Sequence, residues 1–244
     1  MKIATWNVQR PRARTPERRD RLRSLMQAQD ADVWVLTETT ESLAPSDGFS
    51  ASFSKTSDRP ETPGERWVGI WSRFPIIEQF AVRDSARSTA VRVQAGAQHL
   101  IVFGTVLPWV GSTWRGITDA GGAAFLAAVA LQCEDWRELR TNYPHDALLV
   151  LGDFNQSFSP KHYYGSRAKR AGLTAALASV GLRVATGTPH DPVPDHSPAR
   201  ASIDHIAVPD APEWANLAVQ SWPREAKPPT GLSDHFGISI ERAG

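Results

Sequence analysis

The stretch Asp146 to Gln156, reading DALLVLGDFNQ, constrains the fold more than any other part of this chain. Ala147 to Leu151 is an unbroken apolar run that stops at Gly152, and polar Asp153 and Asn155 follow at once with Phe154 between them. A short apolar run bounded by glycine predicts a strand buried on both faces, and length separates it from a buried helical segment with the same lack of periodicity. Such a strand sets a carboxylate and a carboxamide on one face at its carboxyl end. In α/β sheets that end is where ligands bind. The same residues also fit a strand followed by an Asp/Asn turn, so the rest of the chain must separate the two readings.

Other segments repeat the pattern of a buried strand ending in a polar side chain. Ile3 to Val8 alternates apolar and polar residues and carries Asn7 at its end, while Asp32 to Thr37 (DVWVLT) delivers Glu38. Between them, Thr15 as N-cap and Pro16 at the first helical position start a helix to about Gln29, with Leu22, Leu25 and Met26 at helical spacing. A weak strand near Phe49 to Phe53 lies in a Ser, Thr, Asp and Pro-rich loop from Pro45 to Pro63. Arg66 to Ser72, Ile76 to Val82, Thr89 to Gln94 and His99 to Leu107 follow as strands without intervening helices, which implies antiparallel pairing. Helical periodicity runs from Thr118 to about Leu139 and again from Ser166 to Val180, with Gly181 placed as a C-cap. Ser202 to Val208 carries Asp204, and Gly237 to Glu241 is a last strand preceded by Asp234 and His235. This order predicts a four-layer α/β/β/α sandwich of two mixed β-sheets flanked by helices, in one domain spanning residues 1–244.

Asn7, Glu38, Asp153, Asn155, Asp204, Asp234 and His235 thus fall at or near predicted strand ends, and most are oxygen donors. The chain's single cysteine, Cys133, excludes a multi-cysteine metal site, an intramolecular disulfide framework and, by expectation, a disulfide-linked partner. An oxygen donor set without thiolates suits Mg²⁺ or Mn²⁺, and Mg²⁺ takes only one or two protein carboxylates while keeping waters for a phosphate substrate. Metal-assisted attack of water on a phosphoester is the chemistry that follows. The chain starts without a leader-like segment and has no long apolar span, so the expectation is a soluble cytoplasmic protein without membrane insertion.

Thr-Trp-Asn at Asn7, Leu-Thr-Glu at Glu38, Gly-Asp-Phe-Asn at Asp153 and Asn155, Ser-Ile-Asp-His at Asp204, and Ser-Asp-His at Asp234 and His235 occur in a characteristic order. In that order the sequence resembles the endonuclease/exonuclease/phosphatase superfamily, which includes DNase I-like and exonuclease III-like nucleases, inositol polyphosphate 5-phosphatases and sphingomyelinases. The resemblance implies that Glu38 is the principal metal ligand, with Asn7 and Asp234 close to the metal or to a water it holds. It further implies that Asp153 orients or deprotonates the attacking water and that Asn155 holds the phosphate or helps position that water. His235 would donate to a phosphoryl oxygen, with Asp204 fixing its tautomer and raising its pKa.

The resemblance also marks departures. A Tyr or His that contacts the scissile phosphate is expected where Val106 stands, and valine has no hydrogen bond to donate. Either the rate is reduced, or Trp109 or Arg115, in the following loop, binds substrate and supplies a donor instead. Ser202 stands where many relatives carry Arg. The crowded Arg10, Arg12, Arg14, Arg18, Arg19, Arg21 and Arg23 fit either a solvated helix face or a polyanion-facing rim. With the Lys161 to Arg170 stretch and the aromatics Trp109, Trp114 and Tyr164, they make DNA or RNA the leading substrate. A small or lipid phosphate is the alternative substrate, and a non-catalytic nucleic-acid-binding module is the alternative role. The formal net charge of +1 adds no argument for either.

Overall fold

The computed structural model describes residues 1–10, 16–56, 63–160, 163–224 and 232–242. In chain order the strands and helices begin with β1 (Lys2–Asn7), α1 (Pro16–Gln29), β2 (Val33–Thr40), β3 (Ser50–Phe53) and β4 (Glu65–Ser72). They continue with β5 (Ile76–Phe80), β6 (Ser88–Ala95), β7 (Gln98–Val106) and the short hairpin β8 (Thr113–Trp114) and β9 (Ile117–Thr118). Then come α2 (Ala123–Asn142), β10 (Ala147–Asp153), α3 (Arg167–Ala178), β11 (Leu182–Val184) and α4 (Val193–His196). β12 (Asp204–Pro209), β13 (Leu217–Trp222) and β14 (Gly237–Arg242) close the chain.

The strands form two mixed six-stranded sheets, ordered β13-β14-β1-β2-β4-β3 and β11-β12-β10-β7-β6-β5. Each holds one parallel pair, β1 with β2 and β10 with β7, and the strands of these pairs carry Asn7, Glu38 and Asp153. Alternation along the strands builds the layers. Leu149 and Leu151 of β10, with Val33 and Val35 of β2, fill the core between the sheets. Leu148 and Val150 point the other way, toward Phe125, Trp136, Leu173 and Leu177 of α2 and α3. Trp34 and Leu36 meet Leu22 and Met26 of α1 on the opposite outer face. The result is the four-layer sandwich that the sequence predicts, with the apolar run of β10 buried on both faces.

Several details differ from the sequence expectation. β11, β13 and the β8–β9 hairpin are additional, and the 3₁₀ turn at Ala120–Gly122 delays α2 to Ala123. Ser166 caps α3, accepting from the Lys169 amide at 3.2 Å. The N-cap expected at Thr15, together with Arg12, Arg14, Lys161 and His162, lies outside the described residues. Among the described residues no helix is long and apolar enough to cross a membrane. Cys133 is buried and unpaired with any other cysteine.

Gly152 is required where it stands. Its φ is +139°, and a Cβ there would lie 2.0 Å from the carbonyl oxygen of Thr105, its register partner on β7. Gly152→Ala is expected to cost about 3 kcal/mol or more through strain and overpacking. In a chain of this size that lowers Tm by about 6–12 °C, measurable by differential scanning calorimetry.

Candidate active site

The predicted residues converge at the carboxyl ends of the two parallel strand pairs, where the loops after β10 and β7 and before β14 meet. Asn7 is 1% exposed at the end of β1. Its side-chain amide donates to Glu38 Oε1 and to Asp153 Oδ2, both at 3.0 Å, so one carboxamide braces carboxylates from both sheets. Its oxygen accepts from the Gln9 amide at 2.9 Å. Asn7 thus presents its side-chain nitrogen to both carboxylates, beside Glu38.

Glu38 does not follow β2 but sits within it, with φ 49°. The left-handed residue interrupts the pairing with β4 between Thr37 and Thr39 and leaves a partly exposed carboxylate on the groove. Arg10 approaches it, with Nε 3.5 Å from Glu38 Oε2 and 3.2 Å from buried Glu65 Oε1.

Asp153 ends β10 with both oxygens accepting, Oδ2 from Asn7 and Oδ1 from the Asn155 amide at 2.8 Å. Asn155 adopts φ 47°, so strand alternation does not carry past Asp153 and the shared face expected for the two residues is not formed. The Asn155 side chain turns instead to donate to the Leu107 carbonyl at 2.9 Å. The Leu107 amide in turn donates to the Asp153 carbonyl at 2.9 Å. The loops after β10 and β7 are locked together.

His235 Nδ1 donates to Asp204 Oδ2 at 2.6 Å, which leaves Nε2 toward the groove, 3.8 Å from Asp234 Oδ1. Asp234 is exposed, whereas Asp204 is 1% exposed. Ligand atoms of Asp153, Asp204 and His235 lie within 4.8 Å of one another. This crowding sets the protonation states. Burial, and then the neighbouring Asp204 carboxylate, push the Asp153 carboxyl up to about 7. Burial also raises Asp204. Burial opposes the charge on His235, but the carboxylates of Asp204 and Asp153 outweigh it and carry the imidazole up to about 10. At neutral pH the site holds a carboxyl poised to accept a proton and an imidazolium poised to give one.

The open groove above is lined by Glu38, Trp109, Asp153, Asn155, Tyr163, Tyr164, Arg200, Ile203, Asp234 and His235. Of the two residues expected to compensate for Val106, Trp109 is there. Arg115 is not: its guanidinium donates to the Arg83 carbonyl at 2.6 Å and stacks over Trp114, outside the described lining. Val106 itself is buried in the core between the sheets, paired in register with Asp153. Trp114 is also no surface platform, being buried with its indole donating to Asp84 at 2.9 Å.

Three residues hold the site in ways that sequence reasoning did not reach. Arg18 donates to the carbonyls of Val8 (2.8 Å), Gln9 (3.0 Å) and Leu232 (2.8 Å from Nε), tying the loop after β1 to the loop bearing Asp234 and His235. Arg19 and Arg23 likewise bond Ser42 and the Ala44 carbonyl, so these arginines serve the fold rather than form an open rim. Lys169, from the other basic stretch, is buried against Asp119. His205 is the second. Thr186 Oγ1 accepts from the Ile206 amide, so its hydroxyl donates to His205 Nδ1 at 3.0 Å. His205 Nε2 then donates to the carbonyls of Gln156 and Ser202, each at 3.1 Å, and burial holds the ring neutral with a pKa near 4. Arg200 is the third, on the groove wall with Nη1 3.4 Å from the Asp234 carbonyl. All three act through tertiary contacts that no local spacing announces.

A model of the Endonuclease/Exonuclease/phosphatase family matches residues 4–235. No curated protein matches the sequence. Among solved structures, the fold is similar to the 3' phosphatase NExo from Neisseria bound to a product DNA hairpin, at TM-score 0.66 and 18% identity with 100% of each chain covered. An AP endonuclease from Archaeoglobus fulgidus gives TM-score 0.66 at 14% identity, again over 100% of each chain. Truncated TDP2 of Caenorhabditis elegans gives 0.65 at 14%, covering 98% of this chain and 96% of that one. At these identities the likeness is one of fold.

Proposed function

Because the chain belongs to the endonuclease/exonuclease/phosphatase family of phosphoester hydrolases, we propose that its groove hydrolyses nucleic-acid phosphodiesters with the help of Mg²⁺ or Mn²⁺. The observation that carries this reading is the cluster of Asp153, Asp204 and His235 within 4.8 Å at the floor of a groove whose wall bears Glu38 and Asp234.

The donor set fits a hard divalent cation. Glu38 and Asp234 reach the groove with oxygen, no thiolate is near, and the Asp153 carboxyl, raised by burial and then by the Asp204 carboxylate, would be eased back toward its ionised form by a cation. When bound there, the cation would polarise a phosphoryl oxygen and neutralise charge developing on the phosphate.

The chain's own groups supply the rest. Asp153, held by Asn7 and by the Asn155 amide, keeps a fixed geometry from which to orient a water and take its proton. His235 donates a hydrogen bond from Nε2 to a phosphoryl oxygen as negative charge builds, with Asp204 fixing that tautomer by accepting from Nδ1. As the water oxygen bonds to phosphorus, the P–O bond to the leaving alcohol breaks and the leaving oxygen takes a proton from solvent. Asn155 spends its amide on Leu107, which leaves its carbonyl oxygen for substrate or water. Arg200 offers a guanidinium donor in place of the one that Val106 lacks.

Glu38→Gln is the direct test of the cation's place. It is expected to weaken Mn²⁺ binding, read by electron paramagnetic resonance, by about tenfold or more, and to slow oligonucleotide cleavage by about a hundredfold at fixed Mg²⁺. EDTA should abolish wild-type cleavage. Cleavage that persists in EDTA would contradict the reading.

A further inference from the structure

Resting on the nucleic-acid reading above, we propose that Trp109 and Tyr163 make this groove selective for unpaired nucleotides, each lining it with a ring on which a base stacks.

Trp109 is unusually well fixed for a groove-wall residue. The guanidinium carbon of buried Arg87 lies 5.1 Å from the ring centroids of both Trp109 and Trp67, and the two indoles are 5.9 Å apart. The backbone is held too, since the Trp109 carbonyl accepts from the Ser112 amide at 3.1 Å and from its hydroxyl at 2.8 Å. Two residues earlier, Leu107 is bonded to Asp153 and Asn155, so the indole has a set position relative to the catalytic carboxyl. A rigid ring loses little entropy when a base stacks on it.

Tyr163 and Arg200 stand on the groove wall and also border a second groove lined by Pro189, Pro194 and Pro198 with Asp191 and Asp195. Tyr163 is 36% exposed. Proline rings and a phenol offer flat apolar surface, and the exposed Asp195 carboxylate repels phosphate while accepting hydrogen bonds from base amino groups, whereas both oxygens of buried Asp191 already accept from the Val193 and Ser202 amides. That chemistry fits a nucleobase rather than a backbone.

Charge points the same way. Gripping a paired duplex by its backbone requires several cations on phosphates. Among the described residues lining the catalytic groove the cations are Arg200 and the His235 imidazolium, which is already paired with Asp204, and Arg10 is directed at Glu38 and Glu65. Rings therefore supply much of the binding surface, and a ring can stack only on a base whose face is uncovered. In a duplex both faces are taken by neighbours, so the substrate presents single-stranded, frayed or flipped nucleotides.

The test compares wild-type kcat/KM with Mg²⁺ or Mn²⁺ on an end-labelled single strand, on the same strand fully paired, and on a strand of the same backbone with its bases replaced by baseless residues. The expected result is a preference for the single strand over the duplex of about tenfold or more. Base removal should bring a loss of about tenfold to a hundredfold. Trp109→Ala should show a loss that overlaps the base-removal loss instead of multiplying it, while Trp109→Phe retains most activity. Metal-dependent cleavage that is equal on duplex, or indifferent to base removal, would overturn the platforms and leave the phosphodiesterase reading standing. Absence of metal-dependent cleavage of all three strands would overturn that reading, and the platforms with it.

Discussion

Asp153→Asn is expected to lower kcat by about a thousandfold with little change in KM, within the range by which a positioned general base accelerates proton transfer. The substitution is nearly isosteric but removes the proton acceptor. In the wild type the low-pH limb of the rate profile reports Asp153: activity is lost as pH falls through about 7, where the carboxyl takes up its proton. The charge of a bound cation moves that limb lower, so about 7 is its upper end. The residual activity of the variant should lack the limb altogether. Stability provides the control. A carboxyl whose folded pKa is raised stabilises the fold at low pH, and that contribution is lost as pH rises through the folded pKa. The wild type therefore carries a cost at alkaline pH that Asn does not. Working against this, both Asp153 oxygens accept, from Asn7 and from Asn155, and Asn can match only one of those bonds. A Tm at about pH 8 close to that of the wild type would assign the lost rate to chemistry rather than to unfolding.

Asp204→Asn acts on the opposite limb. Burial opposes the charge on His235, and the Asp204 carboxylate is the foremost group that overrides it to bring the imidazole up to about 10. With that charge gone, burial is opposed only by the Asp153 and Asp234 carboxylates, and His235 loses its proton at a lower pH than in the wild type. The high-pH limb then slides down, and loss of the Asp204 charge lowers the Asp153 limb as well. The account predicts a fall in kcat of about a hundredfold or more at about pH 8, with the high-pH side of the bell-shaped profile displaced downward. A variant that is slower by a constant factor at every pH would show instead that Asp204 only orients the ring. The profile of kcat against pH, followed from about pH 5 to 10, separates the two.

Much of this site was legible because it rests on local pattern. The run Ala147 to Leu151 could be buried on both faces only within a sheet, and Asp153 is where that strand stops. Asn7 lies at the end of an equally readable strand, and Leu22 and Met26 marked the inner face of α1. What failed to show was whatever depends on departures from regular backbone or on distant partners. The left-handed φ of Glu38 places it inside β2, and that of Asn155 turns its side chain from Asp153's face toward Leu107, yet nothing in either residue type demands the conformation. β13 alternates only at its start, where Leu217 and Val219 are half-buried and Ala218 and Gln220 exposed, which is a faint signal for an edge strand. The arginine-rich segment read as a solvated face or a rim because charge density says nothing of where each guanidinium ends. Arg18 ends on the Leu232 carbonyl, Arg10 near Glu38 and Glu65, and Arg115 on the Arg83 carbonyl. Arg200, placed in sequence among prolines and alanines, gave no hint that it would reach the groove.

The most direct test of the account is cleavage of an end-labelled single-stranded oligonucleotide with Mn²⁺ at about pH 8, run side by side for the wild type, Glu38→Gln and Asp153→Asn. The account predicts cleavage by the wild type that EDTA abolishes, and rates lower by about a hundredfold or more in both variants. Equal cleavage by all three proteins, or hydrolysis by the wild type of small phosphate esters but of no nucleic acid, would contradict it.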